Sequence, residues 1–341
     1  MVKLSVLDQS PVRAGGDPRQ ALAETITLAQ NAERLGYSRY WLAEHHGTEG
    51  FAGSSPEIMV TRVAAATDSI RVGSGGVMLS HYSPLKVAEN FKLLENLYPG
   101  RIDLGIGRAP GSDGLTAAAL AYGSEVGIEY FPTKIADMMA FLADEVPASE
   151  PFRDVRATPA IAAMPEVWLL GSSDQSAAYA AHFGLAFTFA HFIAPQVSKP
   201  VFDYYRSNFK ASSSLAEPKA SAGVFVICAD TKEEAEYLAA SRDYWRMKLQ
   251  YGQHLPYPPP DEALAHGYTT QEKRVVEANR ANRFTGAPQS LKQELTAYAD
   301  ENGLDELVIL TITYDFEKRL RSYELLADAF ELTANRSAEN E

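Results

Sequence analysis

Eight short apolar runs alternate with stretches of helical periodicity along the 341 residues, and no series of hairpin turns interrupts them. The runs fall at 3–7, 40–43, 70–79, 101–106, 167–170, 185–190, 222–229 and 307–312. Apolar on both faces, they read as buried parallel strands rather than half-exposed antiparallel ones. Helix signals separate them. Leu22, Ile26, Ala29 and Leu35 share one helical stripe, and Gly36 closes it. Ser55-Pro56 reads as a cap with a first-turn proline, opening a helix to about Thr67. Eight such units predict an α/β fold, a TIM-like (β/α)8 barrel forming a single domain over 1–332. Four prolines between Gly252 and Asp261 predict an irregular insertion over about 250–285, before the last strand, read as a mobile lid. Residues 333–341 read as a disordered tail. A doubly wound sheet would need Gly-x-Gly-x-x-Gly after an early strand, and Gly73-Ser74-Gly75-Gly76 is too tight and lies inside a strand.

The second run ends in Glu44-His45-His46. Ionisable groups at the end of a buried strand are costly unless paired or solvated. In parallel barrels that end is also where ligands sit. Neighbours on a strand face opposite sides, so His45 and His46 cannot easily share a metal, and no second His/Asp cluster appears at another strand end. One imidazole at the mouth, oriented by its neighbours, fits acid–base work instead. His45 and Glu44 are thus the catalytic candidates, and no metal is expected.

Gly107-Arg108-Ala109-Pro110-Gly111 follows the fourth run and places one arginine at the mouth. Taken alone, Arg108 reads equally as a solvated turn residue. Gly171-Ser172-Ser173-x-x-Ser176 opens a helix whose free N–H groups and hydroxyls could cradle a phosphate, although serine also caps helices everywhere. Together, Arg108 with Ser172, Ser173 and Ser176 would hold one phosphate monoester, which suits a mononucleotide better than a dinucleotide. Composition narrows the partners. With 31 basic and 44 acidic residues the net charge is −13, which argues against a general nucleic-acid binder. The single cysteine, Cys228, rules out an intrachain disulfide and reads as a small buried hydrophobe. No apolar run is long enough to span a bilayer and no signal-peptide pattern opens the chain, so a cytoplasmic protein without membrane or nucleic-acid partners is expected.

These segments resemble the bacterial luciferase-like superfamily of flavin-dependent monooxygenases, the LLM class of oxidoreductases. The resemblance runs from Ser5-Val6-Leu7-Asp8 to Arg319-Leu320-Arg321-Ser322-Tyr323-Glu324-Leu325. It is most specific in Tyr40-Trp41-Leu42-Ala43-Glu44-His45-His46, in Gly73-Ser74-Gly75-Gly76-Val77-Met78-Leu79, and from Tyr98-Pro99-Gly100 to Gly111. It implies a TIM-like barrel with non-covalent FMN, used in the reduced form supplied by a separate flavin reductase. O2 would react through a C4a-hydroperoxyflavin to oxygenate a small organic substrate. His45 matches the family's catalytic histidine, and Arg108, Ser173 and Ser176 match its flavin-phosphate ligands. Gly75-Gly76 matches its non-proline cis peptide beneath the flavin ring. Met78, Phe189 and Phe192 would wall the pocket. The resemblance further implies a homodimer through the helices at 56–68 and 84–97. The cysteine near the flavin in luciferase α matches Gly107 here, and the 250–285 insertion lacks close resemblance, so neither light emission nor a long-chain aldehyde is carried over. Two rivals stand beside this: an F420-dependent dehydrogenase on the same fold, whose cofactor tail wants a basic trail, and a non-catalytic flavin-binding protein.

Overall fold

Strands β1 (Lys3–Asp8), β2 (Arg39–Leu42), β3 (Arg71–Met78), β4 (Ile102–Gly107), β5 (Glu166–Gly171), β6 (Ala186–Ala190), β7 (Ala220–Cys228), β8 (Arg283–Gly286) and β9 (Glu306–Leu310) form one sheet in a computed structural model that describes residues 2–109, 111–122 and 128–333. Every pairing is parallel. β1 to β6 lie side by side; β6 then pairs with β7, β7 with β9, and β9 with β1, closing a barrel of eight. β7 is long enough to serve three neighbours. Residues 220–223 pair with β6, 222–225 with β9, and 225–228 with β8, which therefore lies outside the barrel. Helices connect the strands, as Pro18–Leu35 does between β1 and β2; Gly36 ends it at φ +89°, the left-handed conformation that glycine adopts without a Cβ penalty.

The TIM-like barrel expected from the sequence is present, but its insertion is not irregular throughout. The stretch 250–285 contains helices Pro260–Ala265 and Thr270–Arg280 as well as β8. Pro260 falls in a helical first turn, where proline costs no hydrogen bond. Thr269 and Glu272 form a reciprocal capping box. The proline-rich piece before them is anchored: Tyr257 N–H donates to Val12 O at 2.9 Å, its hydroxyl to Ile312 O at 3.1 Å, and Trp245 Nε1 to Leu255 O at 2.8 Å. Elsewhere the differences are at element ends. Helix Pro56–Ala64 stops short of Thr67, and Ser55 makes no side-chain cap. The predicted tail beyond Thr333 lies outside the described residues.

Side-chain alternation along the strands builds two apolar layers. Tyr40 and Leu42 join the large cluster between barrel and helices, while Trp41 joins Leu7, Trp168, Phe225 and Val308 in a second cluster filling the barrel. The strand glycines follow from close packing of β3 on β4. A Cβ on Gly73 would run into the Asp103 backbone, and one on Gly105 into the Ser74 carbonyl. The amino-terminal end of the barrel is closed by charge. Arg39 Nη1 meets Asp103 Oδ2 at 2.8 Å and its Nε meets Glu306 Oε1 at 3.0 Å. Trp41 Nε1 donates to the same Asp103 oxygen at 2.9 Å. Arg71, Glu166 and Lys219 extend this network around the rim. Conserving stability at one end leaves the carboxyl ends of the strands free for chemistry.

Candidate active site

Two adjoining cavities open at the carboxyl ends of the strands and share the walls Phe192 and Ile193. The first holds about 390 Å³, within the range of small-molecule sites. Its floor includes Trp41, Gly75, Gly76 and Val308. The Gly75–Gly76 peptide is cis. A Cβ on Gly76 would sit 2.7 Å from the Gly105 backbone oxygen, which leaves no room for a side chain there, and one on Gly75 would sit 2.6 Å from Leu7 Cδ1 and have to displace that side chain. The other end is polar. Arg108 leaves the end of β4, Ser172 and Ser173 form the turn between β5 and helix Asp174–Phe183, and Ser176 lies in the first turn of that helix. Arg108 Nη1 donates to Gln175 Oε1 on that helix. Ser173 and Ser176 form a capping box, with Ser173 N–H donating to Ser176 Oγ at 3.2 Å. All six residues singled out for cofactor binding therefore border one chamber. Gly107 borders it too, and a Cβ there would meet nothing within 4 Å.

The second cavity holds about 280 Å³ and takes His45 and His46 from the end of β2. Their backbone amides are pinned: His45 N–H to Gly53 O at 2.9 Å and His46 N–H to Gly111 O at 3.0 Å. The His45 ring packs on Phe51 at 4.4 Å between centroids, and its Nδ1 has no hydrogen-bond partner. Burial, and secondarily the neighbouring His46, push His45 down to about 4, so its imidazole is neutral at pH 7. His46 faces the same cavity rather than the opposite side. β2 ends at Leu42, so strand alternation no longer governs residues 44–46.

Glu44 does not orient His45. Its buried carboxylate meets His46 Nε2 at 2.7 Å, accepts from the Tyr82 hydroxyl at 2.6 Å and from Met78 N–H at 3.0 Å, and borders neither cavity. It ties the end of β2 to the end of β3. Among the expected walls, Met78 and Phe192 line the first cavity, whereas Phe189 is fully buried against Phe202 in the outer layer. Sequence reasoning missed Arg242, Trp245, Arg246, His254 and Tyr257, which complete the second cavity. The signal was present: on helix Lys232–Gln250, Ala235, Leu238, Ala239 and Arg242 fall on one stripe, and an arginine among buried apolar positions requires a reason.

The family profile described as luciferase-like monooxygenase matches residues 2–301. The chain belongs to the luciferase-like monooxygenase family. This luciferase-like chain is 38% identical to the luciferase-like monooxygenase of Escherichia coli (strain K12), over 97% of both chains. It is 37% identical to the N-acetyl-S-alkylcysteine monooxygenase of Bacillus subtilis (strain 168), over 96% of this chain and 98% of that one. The solved structure of apo-MsnO8 superposes with a TM-score of 0.89 at 40% identity, covering 98% of this chain and 99% of that one. At 18% and 14% identity, the FMN complex of the oxygenating constituent of 3,6-diketocamphane monooxygenase from Pseudomonas putida and an F420-dependent secondary alcohol dehydrogenase share the fold, with TM-scores of 0.70 and 0.69. Membership makes the protein an oxidoreductase. Among the described residues no helix is long and apolar enough to cross a membrane.

Proposed function

We propose that this enzyme binds reduced FMN and, with O2, oxygenates a small organic substrate. One observation carries the proposal: a single slot whose apolar floor is Trp41 and the Gly75–Gly76 pair, and whose far end presents one arginine and a serine-bearing helix start. That pattern fits a flat ring attached to one phosphate monoester. Arg108 supplies a charge-assisted partner, and the helix N-terminus supplies dipole and N–H groups. Bound reduced flavin supplies the electrons for O2 activation, which no side chain can. The sequence has no dinucleotide fingerprint after an early strand, so a separate flavin reductase would provide the reduced cofactor.

The chain's own residues have distinct duties. Phe192 and Ile193 stand between the chambers and keep water from the reacting edge. His45, neutral and with a free Nδ1, takes up and returns a proton on the substrate oxygen. Glu44 positions His46 and the Met78 backbone rather than touching substrate. The name of the B. subtilis relative makes a thioether the first compound to try. The test mixes the chain anaerobically with chemically reduced FMN and N-acetyl-S-benzylcysteine, then adds isotopically heavy O2. Mass spectrometry should find heavy oxygen in the product. Turnover with reduced F420 that incorporates no heavy oxygen would overturn the proposal.

A further inference from the structure

The second cavity carries positive charge without an acidic counterpart. Arg242 and Arg246, four residues apart on helix Lys232–Gln250, both line it together with His45, His46 and His254. Among the described lining residues there is no Asp or Glu. Arg242 is 3% exposed. Its guanidinium donates to backbone carbonyls, Asn279 O at 3.4 Å and Asn282 O at 3.2 Å, and lies 4.3 Å from the Phe225 ring centroid. The adjacent carboxylate, Asp243, is 4.0 Å away and already held by Arg280 at 3.0 Å and Arg283 at 3.2 Å. Arg246 Nε donates to the neutral Asn279 Oδ1 at 3.3 Å. Burial, with repulsion from Arg246 next, pushes Arg242 down to about 9, and burial lowers Arg246 as well. Both remain cationic at pH 7.

Burying cations without a counter-charge is unfavourable, and like charges at this helical spacing repel. An anion entering the cavity removes both penalties. We propose that the second cavity binds the carboxylate of an organic acid substrate on Arg242 and Arg246, its apolar body lying along Phe51, Trp245 and Leu249 towards Phe192. The planar guanidinium fork matches a carboxylate. Phe192 is the wall shared with the cofactor chamber, so this anchor directs the uncharged end of the substrate towards the flavin edge. The inference rests on the monooxygenase reading above and names its substrate class.

Calorimetric titration tests it on the FMN-saturated full chain, with N-acetylmethionine, 4-phenylbutyrate and hexanoate, each paired with its neutral primary amide. The acids should bind at least tenfold more tightly than their amides. Arg246→Gln should weaken the acids about tenfold and leave the amides and FMN unchanged, while Arg246→Lys should retain most of the preference. Melting temperatures of both variants, compared with wild type, check the fold. Repeating the titration without FMN keeps the result separate from the cofactor reading, because Arg246 does not border the flavin chamber. Equal binding of acids and amides across the panel, displacement of the acids by inorganic phosphate at equal concentration, or an unchanged preference in Arg246→Gln would overturn the proposal.

Discussion

Replacing Arg108 by alanine should separate recognition of the phosphate from recognition of the ring. Among the described residues lining the first cavity, Arg108 is the one that carries charge. A hydrogen bond to a charged partner contributes about 1.5–3 kcal/mol, and about 1.4 kcal/mol corresponds to tenfold in affinity. Arg108 is half-buried at the chamber's edge and also engages Gln175, so water screens part of the interaction and the lower half of that range applies. FMN affinity should therefore fall roughly ten- to fortyfold. Riboflavin, which lacks the phosphate, should bind wild type and variant equally. Flavin-fluorescence titrations of both ligands against both proteins give the four constants required. If wild type binds riboflavin as tightly as FMN, the phosphate assignment is wrong. If Arg108→Ala weakens riboflavin as much as FMN, the side chain shapes the wall and does not hold a phosphate.

Three further outcomes are expected. His45→Ala should leave FMN binding nearly intact and slow product formation by about 10²–10⁴-fold, the range for a lost acid–base group; His46→Ala should do less, because that ring is engaged by Glu44. A steady-state rate for His45→Ala equal to wild type would remove the assignment. His191 is buried beside Phe284 and Tyr298, and burial, followed by the charge of Arg242, pushes it down to about 4. The unfolded chain then binds the proton more readily than the folded one, so stability is full above pH 6.5 and declines as pH falls towards 4, by about 3 kcal/mol for this group. His191→Phe should flatten that part of the urea-denaturation profile, and an unchanged slope would contradict it. Finally, Ile58, Leu93 and Leu97 are more than half exposed on helices Pro56–Ala64 and Pro84–Leu97, and light scattering should give twice the 37.3 kDa chain mass; a mass of one chain at micromolar concentration would refute the dimer.

The barrel was legible because its eight strands are largely apolar on both faces and helices such as Pro18–Leu35, Asp174–Phe183 and Pro288–Asn302 end on Gly36, Gly184 and Gly303. The residues proposed to hold the cofactor could be grouped from the sequence because Gly75 lies late in β3 while Arg108 and Ser173 come just after β4 and β5, and these strand ends border one cavity. What escaped depended on partners distant in sequence. Four prolines masked two helices and β8, although Thr269-x-x-Glu272 announced one of them. Glu44 looked catalytic next to His45, but its partners Tyr82 and Met78 lie on another strand and the turn beyond it. Arg242 was missed because Asp243 is taken by Arg280 and Arg283, which reach it only when helix Thr270–Arg280 and β8 pack against helix Lys232–Gln250.

The charged floor of the barrel also sets a timetable for biosynthesis. Arg39 meets Glu306 at a sequence separation of 267, and Ser5 meets the same carboxylate at a separation of 301. A ribosome adding about 5–20 residues per second needs roughly 15–50 s to travel from one partner to the other. During that interval β1 has β2 on one side and an open edge on the other, the kind of edge that recruits foreign strands. Shielding of that edge while the chain lengthens from β2 to β9 is therefore a requirement of synthesis that no contact in the finished barrel can meet.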